Sequence, residues 1–258
     1  MKELRIIKIY FSNSLQQNLS NMIVFWMFFM SKLIRYGLFL FFIFLMTSQM
    51  KFLGGYSPLQ MLVFYLCFNI VDTIGQLLFR EVYRFRSLVV TGGLDMVLVK
   101  PLNPLIRVLV GGPDFIDLGV LLIILVVFGV TLLLLQPSMI MLLGFVVLLV
   151  NSLLISGAFH ILVLSLGVLT TSVDHLIMVY RDMTGLVRVP VDFYTQPLRF
   201  LITFIIPLGI MYTFPAQALM GFLSIKTIIL SLVGGSLSLF LSIKFWNYSL
   251  KHYQSASS

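Results

Sequence analysis

Long apolar runs separated by short polar segments make up most of this sequence. An α-helix needs about 20 consecutive apolar residues to cross the hydrocarbon core of a membrane. The pattern therefore predicts an all-α membrane protein with a single transmembrane domain over residues 1–258. Four membrane spans stand out, and they cover residues 58–79, 115–135, 139–164 and 227–246.

The N-terminal part of the chain predicts a different arrangement. Residues 1–20 place apolar side chains at spacings of three and four with basic side chains off that face, which is typical of an interfacial helix. Residues 22–35 are apolar but contain Lys32 and Arg35, and each charge would cost a few kcal/mol at mid-bilayer. We therefore predict an elbow near the cytoplasmic surface over 22–35 and a first span over 36–52.

The region between the fourth span and the last allows two interpretations. In the first, the polar residues 174–192 are cytosolic and 198–217 form the fifth span. In the second, 168–189 form a polar fifth span buried in protein, and the proline-rich residues 190–224 form a re-entrant hairpin on the outer side. Non-helical backbone at membrane depth requires cover by protein or water. Both interpretations predict six spans with both termini in the cytoplasm.

Composition and charge agree with a membrane protein. The chain is 60% hydrophobic and 10% charged, whereas soluble domains have about 25% charged residues. In the first interpretation, 15 of the 17 Lys and Arg residues lie on the cytoplasmic side, and only Lys51 and Lys226 lie outside. The second interpretation also places Arg199 outside and buries Arg181 and Arg188, which weakens this bias without reversing it. The net charge of +8 flanks the apolar runs instead of forming a stripe, so we expect contacts with anionic lipids and no nucleic acid.

The sequence contains no familiar catalytic or nucleotide-binding motif. It has no G-x-x-x-x-G-K-[ST] phosphate loop and no H-E-x-x-H. Its one cysteine, Cys67, excludes a thiolate metal site. We therefore expect no catalytic, cofactor-binding or metal-binding residues in this chain.

Three polar residues share one face of the second span. Asn69, Asp72 and Gln76 are spaced three and four apart. An acid inside a membrane should face protein or water, so the three are candidates for a substrate path or for polar contacts between helices. Asp72 would meet a cationic part of a cargo or a basic residue of a neighbouring helix.

The segment 87–113 interrupts the pattern between the second and third spans. Glycine pairs begin at Gly92 and Gly111, and Pro101 and Pro104 stiffen what lies between them. This composition predicts a short, semi-rigid element that is hinged at both ends. Because it lies on the side where basic residues collect, it suits a lever that contacts a cytosolic partner.

Two stretches resemble a known family. The run G-G-L-D-M-V-L-V-K-P-L-N-P-L at 92–105 resembles the loop between spans two and three of bacterial ABC type-2 permeases, the ABC-2 family transporter proteins. The stretch 187–208 is similar to a second feature of that family, an Arg-x-Pro run followed by a proline-rich apolar segment.

The resemblance implies an interfacial N-terminal helix, six spans, and a coupling helix in the loop 87–113. It also implies a dimer of separate cytosolic ABC ATPases, which would bind ATP and magnesium, and a second permease subunit that is either a related chain or an identical copy. It favours the re-entrant interpretation of 190–224. The residues it places at or near the ATPase are Leu94, Asp95, Lys100, Pro101, Leu102 and Pro104.

We therefore expect a non-catalytic permease subunit of an ABC exporter in the bacterial plasma membrane, with an amphiphilic or hydrophobic cargo such as a drug, a lipid-like molecule or a peptide. An ion-coupled secondary transporter is one alternative, but it requires inverted repeats that the sequence does not show. An intramembrane lipid-modifying enzyme is another, and it requires clustered acid, base or metal groups, for which 174–192 is the one candidate.

Overall fold

The computed structural model describes residues 2–19, 22–49, 54–170 and 172–254. Within these ranges the chain is helical and contains no β-strand, which confirms the predicted all-α class. The helices are α1 (Lys2–Leu19), α2 (Met22–Gln49), α3 (Pro58–Phe79), α4 (Phe85–Val90), α5 (Gly93–Leu98), α6 (Pro104–Val110), α7 (Phe115–Leu135), α8 (Met139–Thr170), α9 (Val173–Leu186), α10 (Leu198–Ile205), α11 (Gly209–Leu219) and α12 (Ile225–Lys251).

Five of these helices are long and apolar enough to cross a membrane, namely α2, α3, α7, α8 and α12. α3 and α7 begin and end at the predicted residues. Ser57 begins α3 with a reciprocal capping box to Gln60, and Pro58 occupies the first helical position. α8 and α12 extend beyond the predicted spans.

α2 differs from the prediction, because it runs without a break through the expected boundary between an elbow at 22–35 and a span at 36–52. Neither of the two charges that suggested a boundary needs to face lipid. Lys32 donates to the Asp117 carboxylate of α7 at 2.5 Å, and Arg35 lines a cavity between the helices. The predicted end of the first span at 52 lies outside the described residues.

The segment between α3 and α7 is built from short helical pieces. α3 passes into a 3₁₀ turn, Arg80–Arg84, and then into α4. Gly92 has a φ of 72°, a left-handed conformation that suits glycine, and it turns the chain from α4 into α5. Asn103 caps α6 by accepting from the Leu105 amide at 3.0 Å. We call the end of the molecule that holds 80–114 the loop end.

The opposite end, which holds Tyr56 and the residues 190–224, is called the hairpin end. α9 starts near the loop end, where Arg86 pairs with Asp174 at 2.9 Å. The chain then reaches the hairpin end by Asp192, whose carboxylate accepts from Tyr56. α9 together with residues 187–192 therefore runs from the loop end to the hairpin end, and α9 packs on α8. This is the direction that the second interpretation gives to 168–189, although residues 168–170 belong to α8 and α9 begins at Val173.

Residues 198–219 do not form the single straight span that the first interpretation predicts. α10 and α11 are bent by 77° around Pro207. Both arms return to one side, since Arg199 and Gln217 both bond to Asp192. Hydropathy alone could not show this, because a re-entrant hairpin and a crossing have the same apolar composition.

α8 and α12 form the closest long helix pair. Ser231, Gly235 and Ser242 are buried along α12. Gly235 faces Asn151, whose amide donates to the Ser231 carbonyl at 3.0 Å. Small residues at this face let the two backbones approach and bring a polar contact with them.

Candidate functional site

A polar cavity of about 80 Å³ lies inside the helical bundle. It is enclosed by α2, α3, α8, α9 and the second arm of the hairpin. Asp72 on its wall is about 21 Å along α3 from Pro58 and about 10 Å from Phe79, at 1.5 Å per residue. The cavity is therefore within the membrane-spanning part of the fold and nearer to the loop end.

The three polar residues predicted on α3 all line this cavity. The Gln76 amide donates to the Asp72 carboxylate at 2.7 Å. Asn69 donates to the carbonyl of Tyr65, also at 2.7 Å. Both bonds stay within α3, so this face is turned toward the cavity and its amides are not tied to a neighbouring helix.

The structure brings three arginines to the same cavity. Arg35 comes from α2, Arg181 from α9, and Arg188 from the turn that follows α9. In the sequence these arginines are topology signals, and no local pattern connects them with Asp72.

The loop-side wall of the cavity contains hydroxyl groups and one imidazole. The His160 Nδ1 lies 2.8 Å from the Ser156 carbonyl oxygen, while its Nε2 has no hydrogen-bond partner among the described residues. The rings of Tyr180 and Phe79 pack against the imidazole, each with a centroid separation of 4.9 Å. This wall combines close packing with polar atoms turned toward the interior.

An ion network joins the helices at the loop end. Lys32 of α2 pairs with Asp117, and it also lies 3.8 Å from Asp114. Arg80 approaches Asp114 at 3.5 Å. Asp114 in turn caps α7 by accepting from the Ile116 amide at 3.0 Å. This network fixes α2, the end of α3 and the start of α7 relative to one another.

The predicted coupling residues divide into buried and exposed groups. Leu94 is 0% exposed and packs in the core, so it anchors α5 and does not face outward. Asp95 faces the C-terminal segment, where burial and the Asp95 carboxylate both raise the pKa of Tyr253. Lys100 and Pro101 are exposed, whereas Leu102 and Pro104 are half-buried.

Two apolar residues missed by the sequence analysis lie at the same tip. Met96 is 71% exposed and Val99 is 85% exposed. We call Met96, Val99, Lys100 and Pro101 the loop tip. Exposed apolar side chains next to a cation are typical of a surface that binds another protein.

The loop tip is carried on a well-anchored base. Arg107 of α6 donates to the Glu81 carboxylate at 2.7 Å, and its guanidinium lies 4.8 Å from the centre of the Tyr10 ring. The Asp114 amide donates to the Leu77 carbonyl at 3.2 Å. The base therefore contacts α1, the continuation of α3 and the start of α7.

A second polar cluster holds the hairpin end together. The Asp192 carboxylate accepts from the Tyr56 hydroxyl at 2.5 Å, from the Gln217 amide at 2.6 Å, and from Arg199. Burial raises the pKa of Tyr56, so its hydroxyl remains a donor at neutral pH. One carboxylate thus ties both arms of the hairpin to the start of α3.

Comparison with known protein families identifies this arrangement. A family model described as ABC-2 family transporter protein matches residues 33–257. The chain belongs to the ABC-2 transporter family. No curated protein and no solved structure matches it.

As an ABC-2 family member, the chain is a membrane permease component of an ABC transporter. The match covers the cavity, the loop tip and the hairpin in one continuous range. Among the described residues of this ABC-2 permease, no group of three or more His, Cys, Asp or Glu side chains is placed to hold a metal ion.

Proposed function

We propose that this permease is the membrane subunit of an ATP-driven exporter with an amphiphilic or hydrophobic cargo. A separate cytosolic ATPase dimer, which binds ATP and magnesium, drives it, and this chain contributes no catalytic group. The observation that supports the proposal most directly is the loop tip, where Met96 and Val99 expose apolar side chains beyond the ends of the spans.

The base of the loop explains how a push on the tip would reach the cavity. The Arg107–Glu81 pair joins α6 to the residues that continue α3, and the Asp114–Leu77 bond joins the start of α7 to α3. α3 also carries Asp72 and its neighbours on the cavity wall. A displaced tip would therefore move the wall of the cavity, in the manner of two packed helices that shift together.

The outward face of α9 supports a second permease subunit. Arg181, which also lines the cavity, and Asp182 are exposed in the second half of this helix, away from the loop end. Ionisable side chains that face lipid cost several kcal/mol in total, so they require cover by protein or water. A second chain, identical or related, would cover this face and leave an aqueous path along it.

The basic residues of the loop end support an orientation in the membrane. The loop end carries Arg80, Arg84, Arg86, Lys100 and Arg107, and basic residues collect on the cytoplasmic side. We propose that the loop end lies in the cytoplasm of a bacterial cell and the hairpin end outside. Both termini would then be cytoplasmic as well, because α1 packs on Pro113 and α12 ends beside the loop.

The coupling is tested by co-purifying the chain with its cytosolic ABC ATPase. The paired changes Val99→Glu and Lys100→Glu are expected to reduce ATPase recovery at least about tenfold, because they reverse the charge and remove apolar area at the centre of the contact. Lys251→Glu is the matched control, since it reverses an exposed cation on the C-terminal turn of α12. Undiminished recovery with the double variant would contradict the proposed role of the loop tip.

A further inference from the structure

The cavity holds more positive charge than its own residues neutralise. Three guanidinium groups, those of Arg35, Arg181 and Arg188, share it with one carboxylate, that of Asp72, and interact with it electrostatically. Three positive charges and one negative charge leave a net charge of +2. None of the three arginines forms an ion pair with a carboxylate of the described residues. All three arginines are exposed, so a ligand from outside the chain can reach them. Cations at membrane depth are stabilised by water or by a counter-charge, and an anionic ligand would supply the counter-charge.

The arginines are arranged to converge on a bound group. Arg181 lies on α9 and Arg188 in the turn that follows it, so both reach the cavity from neighbouring parts of the chain. Arg35 approaches from α2, where its guanidinium lies 5.0 Å from the centre of the Tyr36 ring and donates to the Tyr36 hydroxyl at 3.2 Å. The Tyr36 contacts hold Arg35 in place while leaving most of its five donors unused.

An apolar groove adjoins the cavity. It has a volume of about 200 Å³ and lies between α2, α3 and α7, where Leu40, Leu66 and Ile124 line it. Tyr36, Tyr65 and Asn69 line both the groove and the cavity, so the two spaces share a wall. A cationic chamber next to an apolar slot matches the two halves of an anionic amphiphile.

We propose that the cavity and the groove together bind an amphiphile with an anionic head group, such as a carboxylate, sulfate or phosphate. Arg35, Arg181 and Arg188 bind the head group, because planar guanidinium forks match such oxyanions. The apolar tail lies in the groove. The head-group chemistry is the same for a bilayer lipid and for a transported cargo, and if the ligand is cargo, the inference rests on the proposed export function.

Binding is tested with the full-length chain in phosphatidylcholine nanodiscs. The probes are an undecyl chain that carries a dansyl fluorophore and a terminal carboxylate, and the same chain with a trimethylammonium head. We expect the carboxylate probe to bind at least about tenfold more tightly, and Arg181→Gln with Arg188→Gln to remove at least about tenfold of that affinity. Arg86→Gln, which changes an exposed arginine outside the cavity, is expected to leave the affinity unchanged.

Equal binding of the cationic probe would overturn the proposal. Unchanged affinity in the double variant would also overturn it. So would dissociation of a second membrane subunit from the double variant on size-exclusion chromatography, because the arginines would then bind that subunit and not a head group. Adding phosphatidylglycerol to the discs separates the two sources: competition with the probe supports a lipid head group, and absence of competition supports a free cargo. ATPase recovery is measured on the same variants, so that a failure of head-group binding is distinguished from a failure of coupling.

Discussion

The Arg107 guanidinium donates to the Glu81 carboxylate at 2.7 Å, and this pair fastens α6 to the turn that continues α3. Glu81 is 7% exposed and also faces Arg84 at 3.5 Å. The pair therefore lies where motion of the loop tip would enter the membrane helices. Loss of this contact can therefore be measured in two ways, as a change in stability and as a change in ATPase stimulation.

Glu81→Gln is expected to lower the free energy of unfolding by about 1.5–3 kcal/mol, the range for hydrogen bonds to charged groups. The shift is measured as a lower thermal midpoint of the purified chain. ATPase stimulation should fall with it if the loop transmits motion. The control is Asp174→Asn, because its pair with Arg86 is exposed and such pairs contribute about 0–1 kcal/mol. Equal midpoints for the two variants would show that the Glu81 contact is not a structural anchor.

Gly235→Ala tests the packing of α8 against α12. An added Cβ would clash with the Asn151 Oδ1 and would displace the side chain that donates to the Ser231 carbonyl. We expect a loss of about 1–3 kcal/mol, as for other overpacked cores. Gly129→Ala should be tolerated, since nothing lies within 4 Å of the corresponding Cβ. Combining Gly235→Ala with Asn151→Ser should recover part of the loss, and an additive result would contradict this explanation.

Asp192→Asn tests what holds the hairpin end together. The change keeps the size of the side chain but leaves Arg199 without its charged partner. It also replaces one carboxylate oxygen, which accepts hydrogen bonds, with an NH2 group that cannot accept from Tyr56 or Gln217. We expect faster proteolysis within 190–224 and a lower thermal midpoint, with a cost of about 1–3 kcal/mol. Asp182→Asn, at an exposed position of α9, is the control. Equal cleavage rates for both variants would contradict the role assigned to Asp192.

The orientation is tested by cysteine labelling in intact cells. Cys67 is 0% exposed, so the native chain should give little background. Lys226→Cys is expected to react with a membrane-impermeant maleimide from outside, and Lys100→Cys only after the cells are permeabilised. Both lysines are exposed, which makes them a matched pair. Labelling of Lys100→Cys in intact cells would reverse the proposed topology.

Part of the candidate site can be predicted from the sequence, and part of it depends on the tertiary structure. The spacing of Asn69, Asp72 and Gln76 predicts their common face, because positions three and four apart on a helix are neighbours. It does not predict that Arg35 and Arg188 meet that face, since they are separated from Asp72 by 37 and 116 residues respectively. Leu94 illustrates the opposite case. It belongs to the run 92–105 on which the family resemblance rests, but its side chain is buried in the core and does not reach the surface.

The sequence by itself determined the all-α class, the bounds of α3 and α7, and the interruption between them, because helix length, capping residues and hydropathy are local properties. Only the tertiary structure decided that α2 is continuous, that 198–219 returns to the side it came from, and that three arginines surround Asp72. Each of these depends on a partner distant in the chain: Asp117 for Lys32, Asp192 for the hairpin arms, and residues of α2, α9 and the turn after α9 for Asp72. A local pattern cannot specify such partners, since the same apolar run or charged residue suits several environments until the helices pack.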